Sequence, residues 1–397
     1  DIKPATRPEL RASMWIYLWD IVDEGYRDVL TRLQEHGLTS VSLACAYHAG
    51  RFLLPHNPRR KVVFLEDGTV YFAPQQDLYG RVKPRANSLV QKGHGLRELK
   101  KQAERMGMET RAWVVCCHNT PLGMKYPDIA CRDAFGDRLY HNLCPSNSDV
   151  RAYVKGLVRD IALQGVSTIE LEALQFQGYA HGFHHEREGI ALTAAMRFLL
   201  GLCFCDSCLR RAKDAQIDLT AVRSFAKTAL EEYFADPVSS SERYAAIDTL
   251  PAEVFDPFLK WRKTVVVSFV EHLMNAVAGT HCKLRPMTSL DPVAQQMVGM
   301  DPAGVADITG GILALGYVKD VNALKPLLTQ LRSQVKGNDI TVGFQVGLPE
   351  SGGKAGFIDR VKVARELGVR DFNLYNYGLI PLENLTWIRE SLHEENE

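Results

Sequence analysis

The segment "VSTIELEAL", residues 166–174, combines the apolar alternation of a buried strand with two glutamates two residues apart. Successive side chains of a strand point to opposite faces, so Glu170 and Glu172 share one face and Ile169 and Leu171 share the other. An ionised carboxylate between a sheet and its helices costs several kcal/mol unless it is paired. The parity therefore predicts that the glutamates face the lumen of a barrel, with Glu172 nearer its mouth.

Seven other strand-like segments accompany this one, with helical periodicity between many of them. They are 13–19, 39–45, 110–116, 282–288, 306–312, 340–346 and 371–377. Eight strands that alternate with helices predict a (β/α)8 TIM barrel, an α/β fold with catalytic groups at the carboxyl ends of its strands. The alternative, a doubly wound sheet, predicts a glycine-rich phosphate turn after the first strand, and "YLWDIVDEG" has none.

The whole chain, 1–397, is interpreted as one barrel domain with two long insertions. Residues 47–92 form a loop and hairpin insertion after strand 2, with Asp-Gly at a predicted turn. Residues 174–280 form a mostly helical insertion after strand 4. Such excursions lie at the face where the substrate pockets of barrels form.

The bulk composition excludes several classes of protein. The 397 residues carry 47 basic and 47 acidic side chains, so no net field favours nucleic acid or a membrane surface. No apolar run approaches the ~20 residues that span a bilayer. The nine cysteines suit reduced thiols and a cytoplasmic location, although the start at Asp1 leaves a removed leader open. The sequence also leaves open whether the chain self-associates.

Glu172, at the end of strand 4, is the candidate general acid/base. Glycosidic hydrolysis usually requires two carboxyl groups that flank the scissile bond. Since Glu170 lies on the same wall, Asp20 at the end of strand 1 is predicted to be the nucleophile or water-activating base. Glu170 and His118 are predicted to tune and orient these groups. The alternatives are a helix cap for Asp20, and for the glutamates an ion pair with Lys283 or Arg285.

Further polar side chains are predicted to converge on the same face and to bind a hydroxyl-rich substrate. A cationic strand face at Lys283 and Arg285 leaves an anionic sugar open. The predicted substrate-binding residues are His48, Asn119, His184, His185, Glu186, Arg285, Gln345, Asn373 and Tyr375.

Cys203, Cys205 and Cys208 follow the pattern C-x-C-x-x-C, which predicts a structural zinc site completed by Cys131, Cys144 or a histidine. No other cofactor is expected.

Several quoted motifs resemble bacterial α-amylase-like and glycoside-hydrolase-like barrel proteins. They are "WIYLWD", "YHAGRFLLPHNPRR", "AWVVCCHNT", "LCPSNSDVRAYV", "IELEALQF" and "HHEREG", and the resemblance covers roughly the first 210 residues. The cysteine triplet is similar to the zinc cluster of family 42 β-galactosidases, which implies Glu172 as acid/base. That clan has its nucleophilic Glu on strand 7, where this sequence has Gln345, and an Asn before the strand 4 Glu, where it has Leu171.

The leading hypothesis is a glycoside hydrolase that acts on a carbohydrate substrate through carboxylate acid/base catalysis. One alternative is a metal-dependent sugar isomerase or epimerase, with Glu172 and His118, His184 or His185 around a divalent ion. Another is a catalytically inactive carbohydrate-binding barrel, which Gln345 favours.

Overall fold

A computed structural model describes residues 9–180, 183, 185–318, 320–347 and 351–393. Eight parallel strands form a closed ring in which β1 pairs with both β2 and β8. The strands are β1 Arg11–Ile16, β2 Ser40–Tyr47, β3 Glu109–Val115, β4 Thr168–Glu172, β5 Lys283–Ser289, β6 Gly311–Leu315, β7 Asp339–Gln345 and β8 Asp371–Tyr375. The predicted (β/α)8 barrel is confirmed.

Helices follow or separate these strands and cover the outside of the barrel. The α-helices span Leu18–Glu24, Tyr26–Glu35, Ser88–Gln91, Leu96–Arg105, Thr120–Lys125, Ser148–Leu163, Ala194–Leu200, Asp206–Asp214, Leu219–Ala235, Pro237–Ser240, Ala252–Val277, Pro292–Val298, Pro302–Thr309, Val321–Val335, Gly353–Glu366 and Asn384–His393. Short 3-10 helices span Gln76–Leu78, Pro127–Ile129, Ile247–Thr249 and Tyr377–Leu379. No helix within the described residues is both long and apolar enough to cross a bilayer.

The helix Ser148–Leu163 illustrates how sequence sets these elements. Asn147 caps it, and its side-chain oxygen accepts hydrogen bonds from the backbone amides of Asp149 (2.9 Å) and Val150 (3.2 Å). Such a cap contributes about 1 kcal/mol. The apolar face of the helix, which includes Val154, Leu157, Val158 and Ile161, is fully buried against the barrel.

Three excursions interrupt the simple alternation of strand and helix. Between β2 and β3, strands Arg51–Leu53 and Val62–Phe64 form a hairpin, and Thr69–Val70 extends the main sheet beside β2. Between β4 and β5, the chain is mostly helical and forms a second apolar core. The sequence interpretation missed the third excursion, between β3 and the helix at Ser148, in which strands Ala130–Arg132 and Arg138–Leu143 pair.

Two predicted strand positions need correction. The sixth strand, expected at 306–312, lies at Gly311–Leu315, and most of the expected segment belongs to the helix Pro302–Thr309. This helix begins after its cap, Asp301, and ends before Gly310, which has a left-handed backbone. Its short apolar run looks like a strand in the sequence. The first strand ends at Ile16, because Leu18 already begins a helix.

Candidate active site

The two glutamates of β4 lie at different depths in the barrel. Their neighbours Ile169 and Leu171 are fully buried in the apolar core, as the alternation of the strand requires. Glu170 is also fully buried, whereas Glu172, the last residue of β4, keeps partial exposure. Only the second glutamate therefore reaches the carboxyl-terminal mouth.

Glu170 is held by hydrogen bonds from three different strands. Trp15 Nε1 and Ser42 Oγ each donate to its Oε2 at 2.7 Å, and Asn373 Nδ2 donates to its Oε1. Burial raises the pKa of this carboxyl, although the charge of Arg111 and the three donors act in the opposite direction. Glu170 thus ties β4 to β1, β2 and β8 beneath the site.

Above this layer lies a cavity of about 280 Å³ at the carboxyl ends of the strands. That volume lies near the lower end of the range for small-molecule sites. Its lining residues are Trp15, Tyr47, Trp113, Glu172, Met287, Leu315, Tyr317, Gln345 and Tyr375. Of the predicted site residues, the cavity brings together Glu172, Gln345 and Tyr375. The sequence interpretation missed the other lining residues, although the strand parity of Trp15 and Trp113 places both on the lumenal face.

Glu172 accepts a hydrogen bond from Trp113 Nε1, which fixes its carboxyl at the wall of the cavity. Burial raises its pKa, while the Trp113 hydrogen bond and the nearby His48 act to lower it. Among the described residues that line the cavity, Glu172 is the one carboxylate. A half-buried carboxyl with a raised pKa, open to a cavity, has the properties of a general acid.

Aromatic rings form the walls around this carboxyl. Trp15 and Trp113 lie with ring centroids 5.7 Å apart, and Tyr375 meets both edge-on at 6.1 Å. Tyr17 donates a hydrogen bond to the Tyr47 hydroxyl (3.1 Å), and the Tyr375 hydroxyl lies 3.4 Å from that of Tyr17. Burial raises the pKa of all three tyrosines, so they remain protonated hydrogen-bond donors.

His48 and His118 lie behind the aromatic wall. The His48 ring stacks on both Tyr47 and His118 at 4.3 Å, and its Nδ1 lies 2.7 Å from the Ala49 carbonyl. The two histidines therefore lie side by side but outside the cavity lining, and His48 acts on Glu172 through charge. Asn119 caps the helix Thr120–Lys125 through the Leu122 amide (3.0 Å).

Asp20 is fully buried within the first turn of the helix Leu18–Glu24 and does not line the cavity. Its Oδ2 accepts from the Tyr17 backbone amide (3.3 Å), and its Oδ1 has no hydrogen-bond partner among the described residues. Burial raises its pKa well above the usual value. The position fits the capping alternative and gives no support to a nucleophile or base.

The loop after β4 brings none of its predicted residues to the cavity lining among the described residues. His184 lies outside the described residues. His185 and Glu186 are exposed. His185 Nε2 lies 2.7 Å from Arg187 Nη2, and Glu186 accepts from the Phe183 amide at 2.7 Å.

Two predicted substrate-binding residues lie elsewhere in the barrel. Arg285 is buried near the amino ends of the strands, where it pairs with Asp339 (2.9 Å) and donates to the Thr309 carbonyl (3.2 Å). The expected cationic substrate contact at Arg285 gains no support, because the residue is level with Glu170 and its guanidinium contacts Asp339 and Thr309 rather than the cavity. Asn373 lies below the cavity, where it donates to Glu170 and accepts from Arg111 Nη1 (3.3 Å).

Four buried cysteines converge where the excursions after β3 and β4 meet. The triplet Cys203, Cys205 and Cys208 is joined by Cys144, and the four Sγ atoms lie within 4.8 Å of one another. Cys144 Sγ lies 3.8 Å, 3.6 Å and 3.5 Å from those of Cys203, Cys205 and Cys208. Tetrahedral zinc with Zn–S bonds of ~2.3 Å requires sulfur separations of about 3.8 Å.

No protein-family model and no curated protein matches the sequence. Solved structures do match. The PgaB (BpsB) glycoside hydrolase domain from Bordetella bronchiseptica has a TM-score of 0.62 at 14% identity, over 98% of this chain and 100% of that one. The β-galactosidase from the psychrophilic Marinomonas ef1 scores 0.58 at 9% identity, over 96% of this chain and 59% of that one.

The β-galactosidase from Bacillus circulans sp. alkalophilus scores 0.54 at 10% identity, over 93% of this chain and 50% of that one. This chain therefore spans about half to three-fifths of the two β-galactosidases. At such identities the likeness establishes the fold alone. The structural neighbours are glycoside hydrolase barrels, and the finer resemblance to α-amylases stays a prediction.

Proposed function

We propose that the protein is a glycoside hydrolase in which Glu172 is the general acid. The observation that carries the proposal is the placement of this carboxyl on the wall of an aromatic-lined cavity of about 280 Å³. Aromatic faces pack against the apolar faces of sugar rings, and the tyrosine hydroxyls provide directional hydrogen bonds. The fold shared with glycoside hydrolase barrels is consistent with this function.

In the proposed reaction, protonated Glu172 donates its proton to the glycosidic oxygen as the bond to the anomeric carbon breaks. The raised pKa keeps the proton on the carboxyl at a pH where an exposed glutamate has lost it. Trp113 holds the carboxyl in place throughout. After departure of the leaving group, the same carboxylate accepts a proton from the incoming water.

The test compares wild type with Glu172→Gln on a panel of aryl glycosides and oligosaccharides. Loss of a general acid typically costs 10²–10⁴-fold, so turnover of any hydrolysed substrate is expected to fall in that range. Glu186→Gln is the matched control, because the same substitution is made at an exposed glutamate outside the cavity. Unchanged turnover in Glu172→Gln refutes the assignment.

A carbohydrate-binding barrel without activity is the second candidate, and Gln345 favours it. This amide lines the cavity at the end of β7, where a catalytic carboxylate is expected by analogy. Saccharide binding by calorimetry with no product after long incubation selects this candidate. The sugar isomerase has less support, since the metal-ligand cluster found among the described residues is the cysteine group, away from Glu172.

We also propose that Cys144, Cys203, Cys205 and Cys208 hold a structural zinc ion. The sulfur separations match a tetrahedral tetrathiolate, and zinc there would fasten the excursions after β3 and β4 to each other. Elemental analysis is expected to give one zinc per chain, and Cys205→Ser to lose it. Cys45→Ser, at a buried thiol on β2, is the control and keeps the metal. A cytoplasmic location stays a prediction.

A further inference from the structure

Among its described residues, the cavity lining contains one carboxylate, Glu172. A retaining glycosidase with two carboxyl groups needs a second one about 5–5.5 Å from the acid, on the far side of the scissile bond. Among the described lining residues, Gln345 stands on β7, three strands around the barrel from Glu172 on β4. An amide side chain is not a nucleophile, so Gln345 can orient a group but cannot attack the anomeric carbon.

The strands between Glu172 and Gln345 contribute apolar side chains to the same cavity. Met287 on β5 is 4% exposed, and Leu315 closes the end of β6. Leu315 is level with Gly343 on β7, and a side chain at Gly343 would contact both Leu315 and the Trp15 ring. This sector therefore combines the apolar side chains of Met287 and Leu315 with the amide of Gln345 and the hydroxyls of Tyr317 and Tyr375.

We infer that the substrate is a β-linked 2-acetamido-2-deoxyhexoside, and that its own acetamido group is the nucleophile. The inference rests on the proposed glycoside hydrolase function. The acetamido methyl group can pack against the apolar side chains of Met287 and Leu315, and its amide can form hydrogen bonds with Gln345. A substrate that carries its nucleophile needs one acid/base carboxyl from the protein, and the described residues of the cavity lining supply one, Glu172.

Water is the one co-reactant that the hydrolysis requires. The acetamido carbonyl oxygen forms a bond to the anomeric carbon, the bond from that carbon to the leaving oxygen breaks, and the leaving oxygen takes the Glu172 proton. The product is a cyclic oxazolinium ion. Water then attacks the anomeric carbon, the oxazolinium ring opens to restore the acetamide, and Glu172 recovers the proton from the water.

The anomeric configuration of the substrate follows from the direction in which the acetamido oxygen attacks. The carbonyl oxygen must approach the anomeric carbon from the face opposite the leaving group. In sugars of gluco or galacto configuration, only the β-anomer has the acetamido and leaving groups on opposite faces. Such an enzyme retains the anomeric configuration, because each of the two displacements inverts it.

The experiment uses 4-nitrophenyl β-glycosides of N-acetylglucosamine, N-acetylgalactosamine, glucose and galactose, together with β-linked N-acetylglucosamine oligosaccharides. Wild type is expected to hydrolyse acetamido substrates and to leave the glucoside and galactoside intact. Replacing the acetyl group by its mono-, di- and trifluoro analogues weakens the carbonyl nucleophile and is expected to lower kcat progressively. Gln345→Met, which removes the amide at similar length, is expected to lower kcat/KM by about three- to tenfold.

Two further measurements separate this inference from the proposed function. The thiazoline of N-acetylglucosamine, a stable analogue of the oxazolinium ion, is expected to bind wild type by calorimetry and to bind Gln345→Met more weakly. Binding of the thiazoline without any turnover supports the substrate class and refutes the hydrolase. Failure of the thiazoline to bind refutes the inference.

Hydrolysis of glucosides in preference to acetamido sugars refutes the inference while leaving the hydrolase intact. A lasting mass increase after incubation with a 2-deoxy-2-fluoro glycoside also refutes it, because that adduct requires a carboxylate nucleophile. Glu350→Gln, which alters a carboxylate outside the described residues, identifies one such nucleophile if it abolishes adduct formation.

Discussion

Replacing Glu170 by Gln tests whether this residue contributes to the stability of the fold or to the catalytic reaction. The carboxyl lies fully buried beneath the cavity, and the hydrogen bonds that it accepts come from three other strands across the lumen, β1, β2 and β8. Glu172, two residues along β4, has one such donor and opens to the cavity. The same substitution at the two positions is expected to have opposite consequences.

The expected loss of stability in Glu170→Gln follows from the groups that donate hydrogen bonds to this side chain. A glutamine at position 170 keeps one acceptor oxygen, which satisfies Trp15 and Ser42, and its amide nitrogen then meets the Asn373 nitrogen. Turning Asn373 over relieves that contact but sets its nitrogen against Arg111, which now donates to its oxygen at 3.3 Å. One buried donor therefore stays unpaired, at a cost of about 1–3 kcal/mol. Burial already disfavours the charge of Glu170, so removing that charge offsets part of the cost, and we expect a net loss of about 1–2 kcal/mol.

The assay is urea unfolding followed by tryptophan fluorescence, in parallel with turnover of a hydrolysed glycoside. Glu170→Gln is expected to lose stability and to retain most of its turnover at low temperature. Glu172→Gln is expected to change stability by less than about 1 kcal/mol and to lose turnover. Unchanged stability with abolished turnover in Glu170→Gln refutes the reasoning, since it makes Glu170 a reacting group.

Three other substitutions test the surroundings. Since burial raises the pKa of Asp20, the folded state holds this proton more tightly than the unfolded chain, and the free energy of unfolding falls as pH rises above about 4. In Asp20→Asn, urea unfolding at several pH values should show a flatter dependence of stability on pH, and turnover should be retained. Trp113→Phe removes a hydrogen bond to the ionised form of Glu172, so the basic limb of the kcat/KM pH profile should move to higher pH; a move to lower pH contradicts the role of that bond. Gly343→Ala places a Cβ 2.9 Å from the Trp15 ring and should cost about 1–3 kcal/mol in urea unfolding, whereas a neutral effect would show that the ring can yield.

The barrel was predictable because eight apolar runs keep strand character and helical segments separate many of them. Lumenal orientation of Glu170 and Glu172 followed from parity alone. The depth of residues on different strands relative to one another did not follow from parity, since it depends on how neighbouring strands are staggered. Arg285 is level with Glu170 on β4, and the stagger continues to the amino-terminal residues Gly311 and Asp339 of β6 and β7.

The cysteine cluster shows a second limit of sequence interpretation. The triplet was visible through its local spacing, but its fourth member, Cys144, lies 59 residues before Cys203. Only the course of the excursion after β3 brings that thiol to the others, and this excursion has weak strand signals in two short pieces. Contacts over such distances depend on tertiary packing rather than on any local pattern.

Glu170 and Glu172 together show how one strand produces two different carboxyl groups. Burial raises the pKa of both, so each carries an unfavourable desolvation free energy when ionised. At Glu170, donors from β1, β2 and β8 take up the carboxyl oxygens, and the group is fixed in the packed lumen. At Glu172, a single indole donor leaves room for another partner on the cavity side. A glycosidic oxygen can occupy that place, and the proton that desolvation retains on Glu172 is then available for transfer.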